Sequence, residues 1–260
     1  MIFLTSQPLW VLEFLVVLAT LLSMAGPVLV RRHVGLARLS TNNEVAGFKF
    51  ATLGVLYAVL LAFVVIVVWE KFNEAENAVA QEAGAAATVY RLAEGIGGVP
   101  GAAVRHRLSD YVTVTISGDW PAMEQGRLSP AGTAALNDLY GALLTIHPAD
   151  LREAAIASEM LRQLSIMTQA RRDRLVMASG TVPGVIWFVL FGGALLTVSF
   201  TFFFGAKNLH AQVAMTGALS LLIFLALFIV VAIDRPFAGS VKVTPEPLEV
   251  VLTDFAKVKP

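Results

Sequence analysis

The feature that most constrains this chain is a set of four apolar stretches, each long enough to cross a lipid bilayer. They cover about residues 9–30, 50–69, 183–204 and 211–233. In hydrocarbon an unpaired backbone polar group costs several kcal/mol, and an open strand leaves such groups unpaired. Each stretch is therefore predicted to be a helix, and the chain to be an all-α multi-pass membrane protein.

The composition agrees with a lipid-facing fold and excludes several classes of function. Charged residues make up 15% of the chain, against about a quarter in soluble domains. A formal net charge of zero predicts no nucleic-acid partner, and the absence of cysteine excludes disulfides and thiolate chemistry. The histidines are isolated, so we expect neither a metal nor a cofactor. No nucleophile, base and orienting group can be assembled, so we do not expect an enzyme.

The hydropathy pattern divides the chain into four parts. These are residues 1–69 with spans one and two, 70–182 as an extramembrane helical domain, 183–233 with spans three and four, and 234–260 as a C-terminal tail with a short amphipathic helix. In 70–94 apolar residues recur every three or four positions, which predicts that span two continues as a helical rod on the order of 80 Å long from Thr41.

A second helix is predicted over residues 150–178, leading without a break into span three. The two extensions should pack antiparallel as a stalk. The glycine-rich segment 95–101 is interpreted as a flexible linker, and Ser129-Pro130 as the start of a helix. In the tail, apolar residues recur at helical spacing, and this tail helix is expected to dock on the stalk; they are Leu248, Val251, Leu252 and Phe255.

Charged residues at the predicted stalk should pair with one another. Counting outward from the membrane places Arg171 level with Glu82, and Arg174 level with Asn77. Arg171 falls on the apolar side of its helix, where a lone guanidinium would be costly, so structural ion pairs are expected there. Asp234-Arg235-Pro236 is interpreted as a helix stop at the membrane interface, because proline cannot continue the hydrogen-bond ladder.

Span two offers a candidate pore lining, if several copies surround an axis. Tyr57, Leu60, Val64 and Val68 would form a mostly apolar face of the kind that gates by dewetting, although a lipid-facing stripe has the same pattern. Beyond Trp69, Glu70, Asn73 and Glu74 would form an acidic ring that selects cations. In a monomer the same residues would be a solvated face, and the sequence leaves both interpretations open.

Several motifs occur in a fixed order along the chain. They are the apolar run 54–63 followed by Trp69-Glu70 and Asn73-Glu74-Ala75-Glu76, then Arg171-Arg172-Asp173-Arg174-Leu175, then Pro183 with Trp187, then Asp234-Arg235-Pro236-Phe237 with Gly239. This ordered set resembles the bacterial bestrophin-like family. Bestrophins are pentameric ion channels with an axial pore lined by their second transmembrane helix and a helical domain below the membrane. The resemblance implies a homo-oligomer, a pentamer, in the bacterial inner (plasma) membrane, with inorganic ions as cargo.

Two functions are carried forward. The first is an oligomeric ion channel whose pore is lined by span two; calcium gating is not implied, because the paired neck prolines and the calcium-clasping acidic run of bestrophins are missing here. The alternative is a non-conducting sensor or scaffold that acts through the stalk, with Leu252 and Phe255 as partner contacts. Basic residues near the span ends divide five against six, so the side that carries 70–182 stays open.

Overall fold

The computed structural model describes residues 7–41, 43–180, 182–239 and 241–257. Over these residues the chain forms ten α-helices and one π-helical segment, Thr115–Asp119, and no strand, which confirms the all-α prediction. The helices are α1 (Leu9–Val34), α2 (Leu36–Ser40), α3 (Asn43–Ile96), α4 (Gly98–Val114), α5 (Trp120–Glu124), α6 (Pro130–Leu144), α7 (Leu151–Met177), α8 (Gly184–Thr201), α9 (Leu209–Ile233) and α10 (Glu246–Lys257).

Four of these helices, α1, α3, α8 and α9, are long and apolar enough to cross a membrane. They coincide with the predicted spans. Helix α3 runs for 54 residues without a break, so the predicted helical continuation through 70–94 is confirmed. Helix α7 confirms the helix predicted over 150–178.

The predicted continuity between that helix and the third span is wrong. Helix α7 ends at Met177, and α8 begins only at Gly184. Gly180 has a φ of 82°, a left-handed conformation that glycine adopts without a Cβ clash. Pro183 precedes α8 in an extended conformation, and its missing N–H cannot join a helical ladder. Local backbone chemistry therefore ends α7 before the membrane span begins.

The described residues divide into two compact units. The first holds the chain up to Glu70 and the residues from Val182 to Asp234, and the second holds Lys71 to Gly180 and the residues from Arg235 onward. In the first unit α1 packs along α9, and α8 contacts both. Small residues permit this packing, because a Cβ at Gly26 would lie 2.4 Å from the ring of Phe202.

Hydrogen bonds join the helix ends on one side of the first unit. The Asn43 side chain donates to the Gly205 carbonyl and accepts from the Gly205 N–H, both at 3.0 Å. Arg31 Nη1 donates to the Ala206 carbonyl at 3.0 Å. The loop between α8 and α9 is therefore fixed to the end of α1 and the start of α3.

In the second unit α4 packs along α6, and α6 contacts α7. The predicted linker 95–101 is mostly helical: α3 ends at Ile96, α4 begins at Gly98, and the turn is made at Gly97, whose φ is 69°. Two glycines with positive φ allow one tight turn to replace a flexible loop. The predicted helix start at Ser129-Pro130 is confirmed by α6, with Pro130 in its first turn.

The C-terminal helix α10 packs inside the second unit, which confirms the predicted docking of the tail. The ring of Phe255 stacks on that of Tyr90 with centroids 3.9 Å apart, and the Tyr90 hydroxyl donates to the Phe255 carbonyl at 3.1 Å. Leu248, one of the predicted apolar residues, is fully buried.

Candidate functional site

Helix α3 has one packed and one free side within the first unit. On the packed side, Tyr57 and Leu61 are buried, and the Tyr57 hydroxyl donates to the Leu190 carbonyl at 3.0 Å. The opposite side carries large apolar side chains in the open: Phe63 is 65% exposed and Ile66 is 52% exposed. We define the free face of α3 by its exposed residues at helical spacing, which are Thr52, Leu56, Val59, Phe63, Ile66 and Glu70.

The structure places the predicted pore-lining residues away from this free face. Tyr57 and Val68 are buried, and Leu60 and Val64 are half-buried. A Cβ at Gly193 would lie 2.5 Å from the Tyr57 ring, so Tyr57 packs directly on α8 of its own chain. Tyr57 and Val68 are thus covered by their own chain, whereas Phe63 and Ile66 on the free face are exposed.

The three predicted mouth residues differ in their surroundings. Glu70 is exposed and forms no ion pair within the described residues. Glu74 binds Lys71, with Nζ and Oε2 2.5 Å apart, and Asn73 is half-buried. Glu70 follows Ile66 by four positions, so it continues the free face of α3 as an unneutralised acid.

A cluster of four buried charges lies in the second unit. Arg174 donates from Nε to Glu82 Oε2 at 2.7 Å and from Nη2 to Asp119 Oδ2 at 3.2 Å. Arg171 donates from Nε to the same Asp119 oxygen at 3.2 Å. Two carboxylates and two guanidiniums give a formal charge of zero. We call Glu82, Asp119, Arg171 and Arg174 the charge cluster.

Neutral side chains also contact the charge cluster. The Tyr111 hydroxyl donates to Glu82 Oε1 at 2.5 Å, and the Arg174 guanidinium carbon lies 4.7 Å from the ring centroid of Trp120. Burial raises the pKa of Tyr111 well above its ordinary value, and the charge of Glu82 raises it further. For Arg174, burial lowers the pKa, but the charge and hydrogen bonds of Glu82 outweigh that effect, so the pKa is raised.

The register of the cluster differs from the sequence prediction. Glu82 is contacted by Arg174, not by Arg171, and Arg171 binds Asp119 instead. The prediction counted back from residue 182 along an unbroken helix. Because α7 ends at Met177, that count is displaced by about one helical turn.

The sequence reasoning missed Asp119, a member of the charge cluster, and Tyr111, which donates a hydrogen bond to it. Asp119 ends the π-helical segment, and its Oδ1 has no hydrogen-bond partner within the described residues. A Cβ at Gly132 would lie 2.5 Å from that oxygen, so glycine is needed there. A signal was present: a buried stripe continues from α4 at helical spacing, and Asp119 falls on it; its members are Val104, Leu108, Tyr111, Thr115 and Asp119.

The remaining predicted residues lie at the ends of α9 and in α10. Asp234 follows the last residue of α9, and its Oδ1 accepts from the Val182 N–H at 2.8 Å. Arg235 lies against Gly126, where a Cβ would be 2.8 Å from its Nη2, and the Pro236 carbonyl accepts from Val243 at 2.7 Å. Among the described residues no group of three His, Asp or Glu side chains could hold a metal ion.

The two residues suggested as partner contacts are not free surface. Phe255 is buried against Tyr90, and Leu252 is half-buried. A partner that binds the ring of Phe255 would have to displace α10 from its own chain, whereas Leu252 is accessible in part.

Comparisons with known proteins give one family and one fold. Residues 17–248 match the sequence model of the family described as Bestrophin-like domain. A crystal structure of a bacterial bestrophin homolog from Klebsiella pneumoniae, carrying a mutation, aligns with a TM-score of 0.70 at 18% identity, over 95% of this chain and 99% of that chain. Another structure of the Klebsiella pneumoniae homolog gives a TM-score of 0.67 at 19% identity, over 94% and 99% of the two chains.

A further crystal structure, described only as a membrane protein variant, aligns with a TM-score of 0.72 at 14% identity, over 92% of this chain and 97% of that chain. At these identities the structural likeness establishes the fold. A comparison with curated proteins gives no match.

Proposed function

This chain belongs to the bestrophin-like family, and from that premise we propose that it forms a homo-oligomeric ion channel in the bacterial inner membrane with α3 around the axis. The resemblance implies a pentamer. The observation that carries the proposal is the free face of α3, which is apolar along the span and ends in the acid Glu70.

The constriction follows from the free face. Copies of α3 arranged around an axis would each contribute Val59, Phe63 and Ile66 to stacked apolar rings. Such rings hinder ion passage by dewetting, so a small motion of α3 or a more polar side chain would change conductance strongly. We therefore place the proposed constriction at these residues instead of at Leu60, Val64 and Val68.

The mouth follows from Glu70. A ring of exposed carboxylates raises the local concentration of cations and lowers that of anions. Glu74 contributes less, because Lys71 neutralises it at 2.5 Å. The proposed channel therefore prefers cations.

The proposal is tested by planar-bilayer recording of the purified oligomer. Replacing Phe63→Ser makes the proposed constriction wettable and is expected to raise conductance. The matched control is Leu21→Ser, the same kind of change at an exposed apolar residue of α1. Equal currents for wild type, Phe63→Ser and Leu21→Ser would contradict the proposal that α3 lines the pore.

Oligomeric state is the second requirement. Native mass spectrometry in a mild detergent is expected to give a closed ring, and a pentamer by the resemblance. A monomer that carries no current in any salt would end the channel proposal, because a single four-helix bundle encloses no axial pore.

A further inference from the structure

The charges of the first unit are separated between its two ends. The unit contains five Lys and Arg residues, and all of them lie where α1 ends, α3 begins and α8 joins α9. We call them the basic collar: Arg31, Arg32, Arg38, Lys49 and Lys207. Three of the four acids of the unit lie away from the collar: Glu13 near the start of α1, Asp234 after the end of α9, and Glu70 where α3 leaves the first unit. Glu44 is the one acid beside the collar.

The collar residues come from three chain segments that touch one another. Arg31 reaches the Ala206 carbonyl next to Lys207 at 3.0 Å. A Cβ at Gly205 would lie 2.4 Å from the Ser40 backbone nitrogen, two residues from Arg38. The collar is therefore one surface region, although its members are up to 176 positions apart in the sequence.

In the part of the chain that the structure describes, no carboxylate neutralises this region. Within the described residues none of the five cations forms an ion pair, and Glu44 is exposed without one. Arg32, Arg38, Lys49 and Lys207 are exposed, and Arg31 is half-buried. In the second unit, by contrast, both guanidiniums of the charge cluster are neutralised by Glu82 and Asp119. The cations of the collar thus remain available to an external anion.

Apolar side chains adjoin these cations on the outside of the helices. Phe48 is 77% exposed beside Lys49, and Val34 and Val45 are also exposed. Phe203 is exposed a few residues before Lys207. Cations next to exposed apolar side chains match a ligand with a phosphate head and hydrocarbon tails. A small soluble anion would need only the cations.

We propose that the basic collar binds the phosphate headgroups of anionic phospholipids, with Phe48, Val34 and Val45 against the acyl chains. The ligand chemistry is a phosphodiester on a diacylglycerol, and the source is the bilayer that surrounds the spans. Binding depends on exposed cations, so it weakens as salt screens the charges. This site does not depend on whether the chain conducts ions.

The experiment uses the full chain in nanodiscs or mild detergent, with phosphatidylglycerol and phosphatidylcholine as probes. The test variant combines Arg32→Gln, Arg38→Gln and Lys49→Gln, and leaves Arg31 with its bond to Ala206. The control variant combines Arg91→Gln, Arg127→Gln and Arg152→Gln, which are exposed cations without an ion pair in the second unit and give the same change in net charge.

Native mass spectrometry then counts retained lipids and measures their affinity. One Lys or Arg near an anionic surface strengthens binding about fivefold, so the test variant should lose on the order of 100-fold in affinity for phosphatidylglycerol. The control variant and wild type should bind equally. Wild type should retain phosphatidylglycerol over phosphatidylcholine, and excess inorganic phosphate should not displace it.

Three results would overturn the proposal. Equal losses in the test and control variants would mean that net charge alone attracts lipid. Equal retention of the two lipids would mean that the headgroup is not recognised. Full displacement by inorganic phosphate would identify a site for the free anion. Unfolding temperatures of all variants are measured alongside, and lipid counts need no current, so this outcome is separate from the channel test.

Discussion

At the scale of single residues, the second unit buries four charged side chains that must neutralise one another. Taking charges out of water costs several kcal/mol per ion, and this cost is offset only when partners and hydrogen bonds are complete. Glu82 accepts from Arg174 through both carboxylate oxygens and from Tyr111 through one. Removing one member leaves the buried cluster with one charge in excess.

Glu82→Gln is therefore expected to lower the free energy of unfolding by about 3–5 kcal/mol. The exposed Glu76→Gln is the control and should change it little. A double variant, Glu82→Leu with Arg174→Met, removes both charges and should recover part of the loss. Chemical denaturation in detergent, followed by circular dichroism, measures all three. Equal stability of wild type and Glu82→Gln would show that the buried ion pair between Glu82 and Arg174 is not formed in solution.

At this scale the sequence predicted which arginines need counter-charges, but it did not predict which carboxylates pair with them. Arg171 and Arg174 stand out because guanidiniums on an apolar helix side need counter-charges. Asp119 falls on the stripe that continues from α4, but the stripe does not identify its partner, because Asp119 lies 52 positions from Arg171 in sequence and belongs to a π-helical segment. Partner choice depends on packing that is set by the whole unit.

At the scale of helices, hydropathy predicted the spans, and periodicity predicted α7 and the outer part of α3. The orientation of α3 about its own axis could not be predicted in the same way. Lipid is as apolar as a packed neighbouring helix, so both sides of α3 carry apolar residues in the sequence. Hydropathy therefore does not distinguish Tyr57 on the packed side from Phe63 on the free side. The break after α7 depends on a left-handed Gly180, which a single glycine in the sequence does not establish.

An aromatic stack contributes to the docking of α10, beside the buried Leu248. Phe255→Ala removes a buried ring and its contact with Tyr90, and such changes cost about 3–5 kcal/mol. Hydrogen exchange of the α10 amides should accelerate by on the order of 100- to 1,000-fold if α10 opens as a unit. Val250→Ala, at an exposed residue of the same helix, is the control. Hydrogen-exchange mass spectrometry reports both, and unchanged exchange in Phe255→Ala would mean that other contacts hold α10.

At the scale of the whole molecule, the proposed channel requires copies that assemble around α3. A single Glu70 is an ordinary exposed acid, but a ring of them creates a field at the mouth. Glu70→Gln is expected to lower the cation preference, seen as a reversal potential that moves toward zero in a salt gradient. Glu74→Gln should move it less, because Lys71 already neutralises Glu74. A larger shift for Glu74→Gln than for Glu70→Gln would contradict this assignment of the mouth.

Because the charge cluster sums to zero, its members cannot be replaced one at a time over generations without loss of stability. A lineage that loses one of these side chains carries a stability defect until a second change cancels it. Glu82, Asp119, Arg171 and Arg174 are therefore expected to be inherited as a block, kept together or exchanged together for a hydrocarbon core, and Gly132 with them.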